Sequence, residues 1–146
     1  MRPPIAGRFL PLRPRRPHGR LVHHPRTFLA SQPPDSTAGT SQRFFGPGLL
    51  ESIYEKALMR ELQLRRVPVV CQQSVPVRYK GKTLEDFRLD LLVGGEVIVE
   101  LKTVDALLSV HTAQLLTYLK LTGLKRGLLI NFNVERLVDG LKRVSL

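Results

Sequence analysis

Two acids and a lysine lie inside apolar runs of this chain. Asp90 interrupts Phe87-Arg88-Leu89-Asp90-Leu91-Leu92-Val93, and Glu100 and Lys102 close Val97-Ile98-Val99-Glu100-Leu101-Lys102. A charge within such a run is costly to bury unless it is paired or bound to a metal. Side chains at i and i+2 of a strand share a face, so Glu100 and Lys102 point the same way, roughly 6.5 Å apart along the strand. Two carboxylates in contact are tolerated only around a cation or a shared proton. The plainer reading of the same residues is a salt bridge at a strand edge, from Lys102 to Glu100 or to Asp90.

The turn between the runs decides whether the two acids meet. Gly94-Gly95-Glu96 separates them, and two Leu- and Val-rich runs broken by a glycine pair read as a hairpin. A two-residue Gly-Gly loop would pair Val93 with Glu96 and set Asp90 opposite Val99, with the acids on opposite faces. A three-residue loop, or a bulge, pairs Val93 with Val97 and sets Asp90 opposite Glu100, about 4.5–5.5 Å away. The sequence leaves both open. We expect the odd-length loop, because the other register leaves each buried acid without the other.

Around this hairpin the patterning is that of an α/β domain. Gly46-Pro47-Gly48 is a turn before a helix. From Leu49 to about Arg65, Leu50, Ile53, Tyr54, Ala57, Leu58 and Leu62 recur at helical spacing, and Val67-Pro68 ends the helix. Glu51 flanks its buried face. Tyr54 is expected in the core with its hydroxyl in reach of Glu51. Val69 to Tyr79 reads as a strand, Lys80-Gly81-Lys82 as a turn, and Val110 to Leu121 as a second helix stopped by Gly123. Lys125 to Phe132 is a buried strand, and Leu137 to Val144 is a final strand around Asp139-Gly140. The element order is αβββαββ. On that helix His111, Gln114 and Tyr118 share a polar stripe, with His111 expected to be structural.

Asp, then Glu-x-Lys at the end of the next strand, resembles the signature of the PD-(D/E)XK nuclease superfamily. The stretch from Gly46 to Leu146 is similar to the subfamily named for Gly-x-x-Glu-x-x-Tyr, here Gly48, Glu51 and Tyr54. Tyr79-Lys80-Gly81, the helix from His111 to Leu119 and Leu128-Leu129-Ile130-Asn131-Phe132 match it as well. The resemblance implies an α/β fold with a mixed central β-sheet flanked by helices, a restriction-endonuclease-like αβββαβ core. It implies hydrolysis of nucleic-acid phosphodiester bonds, DNA before RNA, with Mg²⁺ or Mn²⁺. Asp90, Glu100, the Leu101 carbonyl and, by resemblance, Glu51 would hold the metal. Lys102 would orient the attacking water or neutralise developing charge. Gln114 and Tyr118 resemble an accessory Gln-x-x-x-Tyr motif that helps place substrate. A homodimer is compatible with such an enzyme, though no residue argues for one. The alternative is a catalytically silent nucleic-acid-binding module that keeps the nuclease fold.

Residues 1–45 depart from the family's usual helical segment ending in a Val-His-like pair, so the first helical layer is expected to be incomplete or replaced. Residues 1–42 hold eight of the eleven prolines and seven arginines against the single acid Asp35, contributing +6 of a net charge of +11. With no sustained period, they read as a disordered basic leader; residues 43–146 are the expected domain. The leader resembles a transit peptide in composition, but its prolines would break an amphipathic helix. The charge favours polyanions, and Lys80, Lys82, Arg88, Lys120, Lys125 and Arg126 could track phosphates. No apolar run approaches the roughly 20 residues of a membrane span. Cys71 is the single cysteine, which fits a reducing cytoplasm and excludes a disulfide or thiolate zinc cluster. No P-loop, dinucleotide loop, Ser–His–Asp pattern or zinc spacing occurs.

Overall fold

Runs such as Val97-Ile98-Val99 and Leu128-Leu129-Ile130 have no polar face, so they fit only strands covered on both sides. The computed structural model describes residues 34–146. In chain order these form α1 (Pro34–Phe45), α2 (Glu51–Leu64), β1 (Val69–Tyr79), β2 (Lys82–Val93), β3 (Val97–Lys102), α3 (Ser109–Thr122), β4 (Arg126–Asn131), a short 3-10 helix (Leu137–Gly140) and β5 (Leu141–Ser145). The sheet order is β1-β2-β3-β4-β5. β3 and β4 are parallel and every other neighbouring pair is antiparallel. Parallel neighbours need a crossover, and α3 supplies it. This is the mixed α/β sheet the sequence implies.

Alternation along β3 and β4 divides the core into two layers. Val99, Leu101, Leu128 and Ile130 face α1 and α2, meeting Tyr54, Leu58 and Leu62. Ile98 and Leu129 face α3, meeting Leu115, Tyr118 and Leu119. Gly127 lets α3 pack closely here, since a Cβ would stand 2.9 Å from the Leu115 side chain and displace it. Gly123 takes the left-handed conformation that ends α3.

The turn resolves the register. Val93 pairs with Val97, Leu92 with Ile98 and Leu91 with Val99. Three residues therefore lie outside the ladder, and Gly94 and Gly95 both take positive φ, which glycine adopts without the Cβ clash of other residues. The odd-length loop is the one formed.

The front of the domain differs from the expectation. α1 begins at Pro34, inside the segment read as a disordered leader, so the boundary at residue 43 falls within a helix. Its buried positions, Pro34, Thr37, Ala38, Ser41 and Gln42, follow helical spacing, but they are small or polar rather than apolar. A search for apolar periodicity passes over them. Pro34 occupies the first turn, where its missing N–H breaks no helical bond. Gln42 donates from Nε2 to the carbonyls of Val134 at 2.8 Å and Glu135 at 3.1 Å. The first helical layer is thus present in another composition, ending in Phe44-Phe45. The remainder of the expected leader, residues 1–33, lies outside the described residues.

A charge placed at Ala38, which is 0% exposed, tests this packing. Ala38→Asp should lower the unfolding free energy in urea by about 2 kcal/mol or more, whereas Phe44→Asp on the exposed side should stay within about 0.5 kcal/mol. Equal, small effects would mean that α1 does not dock.

Candidate active site

β2 and β3 part company at Asp90. The last pair of their ladder is Leu91 with Val99, and beyond it side chains replace the ladder. The Asp90 carboxylate accepts the Leu101 N–H at 2.8 Å, and the Glu100 carboxylate accepts the Asp90 N–H at 3.4 Å. Each acid thus holds the main chain of the other's strand. A strand residue directs its N–H and C=O to the same edge, so the Leu101 carbonyl faces this same gap.

The neighbouring strand makes the gap. Along β2, Leu89 packs on the α3 side while Leu91 and Val93 pack on the α1–α2 side, although regular alternation would keep all three together. β1 changes face at the same level: Cys71 packs with the α1–α2 layer and Val75 with the α3 layer. Gln72, between the Cys71↔Leu91 and Gln73↔Leu89 pairs, has φ 53°, a strained conformation for a residue with a side chain. Glu55 clamps this kink. It accepts from Cys71 Sγ at 3.0 Å and from Gln72 Nε2 at 2.6 Å.

Burial sets the electrostatics. Glu100 is only 3% exposed, and desolvation, followed by the neighbouring Asp90 charge, pushes its carboxyl up to about 8. Desolvation also raises Asp90, against the Leu101 N–H that lowers it, with Glu55 adding to the rise. Glu51 is raised by burial and then by Asp90. Lys102 pulls all three the other way. No Lys102 salt bridge occurs among the ion pairs of the described residues; its charge acts on the acids without being consumed by one of them. The Cys71 thiol is pushed up to about 11 by burial and by Glu55, so it stays a proton donor to that carboxylate.

Asp90, Glu100, Leu101 and Lys102 are therefore brought together, and Glu51 lies within their field. Among the described residues no three His, Cys, Asp or Glu side chains form a metal-ligating cluster. The protein donors at the gap are two carboxylates and one main-chain carbonyl. That set fits Mg²⁺, which takes one or two carboxylates and keeps several waters, better than a metal caged wholly by protein.

The polar stripe on α3 is less uniform than expected. Tyr118 is 6% exposed and packs with Leu115 and Leu119, its ring tilted against Phe87 at 5.1 Å. Only its hydroxyl is polar in role. That group accepts from Gln114 Nε2 at 2.8 Å, and it is raised by burial and then by the Glu100 charge. His111 accepts the Leu108 N–H at 3.0 Å through Nδ1 and closes the start of α3. Tyr54 stacks on Phe132 at 4.4 Å. Its hydroxyl donates to the Gly46 carbonyl and accepts the Leu49 N–H, so it braces the glycine turn instead of reaching Glu51.

Glu55 and Asn131 escaped the sequence reading. Glu55 is one helical turn after Glu51 and shares its face, a signal that was present. Asn131, 2% exposed, pairs with Lys102 in the β3–β4 ladder. Its amide accepts the Val104 N–H at 3.1 Å and donates to the Val104 carbonyl at 2.7 Å, fixing the chain as it leaves Lys102. The basic residues do not form one track. Lys80 and Lys82 lie at the β1–β2 turn, whereas Arg126 sits at the other end of the strands, paired with Glu96.

A model of the PD-(D/E)XK nuclease superfamily matches residues 37–144. The chain belongs to that superfamily. The match begins within α1, which agrees with the docking of that helix. No curated protein matches the chain. Among solved structures, the crystal structure of SSO0001 is similar, with TM-score 0.54 and 19% identity over 83% of this chain. This superfamily member spans 61% of the length of SSO0001, and at that identity the likeness concerns the fold. None of the described helices is long and apolar enough to cross a membrane.

The raised carboxyls give the metal-free protein a signed pH dependence. Between the ordinary value of 4.5 and about 8, the folded state holds a proton on Glu100 that the unfolded chain releases. Stability should therefore be fully present below that window and fall as pH rises through it, by at most about 1.4 kcal/mol per pH unit for one proton. Urea unfolding in EDTA across pH 5–8 measures this. Glu100→Gln should flatten the fall, and stability that climbs with pH in wild type would contradict the assignment.

Proposed function

We propose that this chain is a metal-dependent phosphodiesterase acting on nucleic acid, DNA in the first instance, of the Gly-x-x-Glu-x-x-Tyr type. The observation that carries the reading is the meeting of Asp90 and Glu100 at the parting of β2 and β3, with Lys102 on the same strand. A bound Mg²⁺ or Mn²⁺ would supply Lewis-acid stabilisation of the scissile phosphate and an acidified water. Asp90, Glu100 and the Leu101 carbonyl would hold that ion. Lys102 orients the water and offsets charge developing on the phosphate. Glu51, whose charge interacts with Asp90, would support the metal. Gln114 orients the Tyr118 hydroxyl at the border of the acidic gap, and the pair positions the substrate. The net charge of +11 favours a polyanion as substrate. A reducing compartment such as the cytoplasm suits the single Cys71.

The two roles of the carboxylates reinforce each other. Without a cation, Glu100 sheds its charge by taking up a proton, and with one it ionises, so metal uptake and proton release are linked. Isothermal titration with Mg²⁺ or Mn²⁺ at pH 7 in two buffers of different ionisation enthalpy should show about one proton released per ion bound. Asp90→Ala should lose uptake.

Cleavage of a DNA duplex with Mg²⁺ or Mn²⁺ should fall by about 10²–10³ or more in Lys102→Ala and Asp90→Ala, the range expected when one transition-state contact is removed. Undiminished cleavage in both variants would end the proposal. The second reading, a binding module without turnover, draws on the absence of a three-residue ligand cluster among the described residues. It expects salt-sensitive binding, no metal uptake and no cleavage.

A further inference from the structure

One element next to the site is only partly covered by the described residues. β3 covers β2 only as far as Leu91, so among the described residues the strand from there to Lys82 is paired with β1 alone. The root of this hairpin rests on α3, through Val75, Phe87 and Leu89 against Tyr118. Beyond Pro76↔Asp86 the arm stands clear of the other described residues. Lys82 to Asp86 are all exposed, as are Pro76, Arg78, Tyr79, Lys80 and Gly81. At about 3.3 Å per residue the free part reaches roughly 13 Å past Asp86 before the turn.

The arm ends in a tight turn with basic charge concentrated at its tip, while Glu85 and Asp86 lie nearer the root. Lys80 and Gly81 both have positive φ, at 48° and 81°, the backbone of a tight two-residue hairpin turn. A register shift at Val77/Arg78 leaves Leu84 as the extra residue on β2 and re-aims the tip. Arg78, Lys80 and Lys82 crowd the tip, and no acid lies between residues 78 and 84. Asp86, nearer the root, is engaged by the Ser74 hydroxyl at 3.1 Å. Tyr79 and Leu84 are each 60% exposed, with Lys80 Nζ 5.3 Å from the centre of the Tyr79 ring. Asp90 lies on the same strand, at the root.

We propose that the β1–β2 arm is a grip on duplex DNA, lying in the major groove next to the acidic gap at Asp90. The inference deepens the nuclease reading and rests on it for the identity of the partner. A major groove about 12 Å wide admits a two-stranded ribbon. Arg78, Lys80 and Lys82 reach the flanking phosphates, and Tyr79 and Leu84 present apolar surface to the groove floor. Because the two strands are already paired with one another, docking does not have to form the ribbon. The rival use of these cations is protection of an open strand edge against pairing with a second copy.

Fluorescence anisotropy of the full chain with a mixed-sequence DNA duplex, in EDTA and over a range of NaCl, separates these. Lys80→Ala/Lys82→Ala should bind about tenfold more weakly, with the slope of log affinity against log salt reduced by about 2, close to 0.9 for each phosphate no longer neutralised. Lys56→Ala/Lys142→Ala removes the same charge from exposed positions off the arm and should change affinity less than about twofold. Lys80→Arg/Lys82→Arg should restore binding. Equal losses in the two alanine pairs, no loss in the arm pair, or a wild-type chain that does not bind duplex would each overturn the grip. So would an arm variant whose weaker binding is accompanied by self-association in light scattering. Turnover plays no part in the EDTA measurement: binding without cleavage would sink the nuclease reading and leave the arm, and cleavage with arm-independent binding would do the reverse.

Discussion

The reciprocal hold between Asp90 and Glu100 is the constraint on which the rest turns. Two carboxylates face one another where a ladder of main-chain hydrogen bonds would otherwise continue, and each satisfies a backbone N–H of the opposite strand. The exchange substitutes side-chain acceptors for missing carbonyls, so the strands can part without orphaning those donors. It also confines two acids to one pocket, Glu100 almost wholly buried and Asp90 partly so. The only relief available to such a pair is a proton or a cation, and the rise of the Glu100 carboxyl expresses the first.

The fold keeps this arrangement from relaxing. α2 delivers Glu51 and Glu55 one turn apart, and Glu55 pins Cys71 and Gln72 at the point where β1 and β2 exchange faces. β4 supports the other side, with the Phe132 N–H on the Lys102 carbonyl at 2.9 Å and the Asn131 amide on Val104. α3 closes the remaining flank, burying Tyr118 with only its hydroxyl left toward the acids. Strain at Gln72, a loop with two left-handed glycines and an acidic pair are tolerated because well-packed strands surround them.

Much of this was legible in the residues themselves. The apolar runs, the Gly94-Gly95 pair and Val67-Pro68 mark the elements, and of the two hairpin registers left open the one formed is that expected if the acids meet. What escaped did so for identifiable reasons. α1 docks through Thr37, Ala38, Ser41 and Gln42, whose helical spacing is invisible to a search for apolar residues. The face change at Gln72 and Asp90 breaks the period-two rule that would keep Leu89 and Leu91 together, and no residue type there announces it. Gln114, Tyr118 and His111 form a stripe by spacing, yet in three dimensions one is exposed, one is core and one caps a helix, because the helix rotates to bury Leu115 and Leu119. Glu55 was readable as the i+4 partner of Glu51. The clamp that it forms depends on a strand kink that only the structure reveals.

The central claim is that a divalent ion belongs between these two acids, and anomalous scattering from crystals grown with Mn²⁺ tests it most directly. The account predicts a single strong Mn²⁺ peak within about 2.0–2.4 Å of oxygens from Asp90, Glu100 and the Leu101 carbonyl, with Lys102 alongside. Manganese bound only elsewhere, or Asp90 and Glu100 carboxylates turned to opposite faces of the sheet with no ion between them, would contradict it.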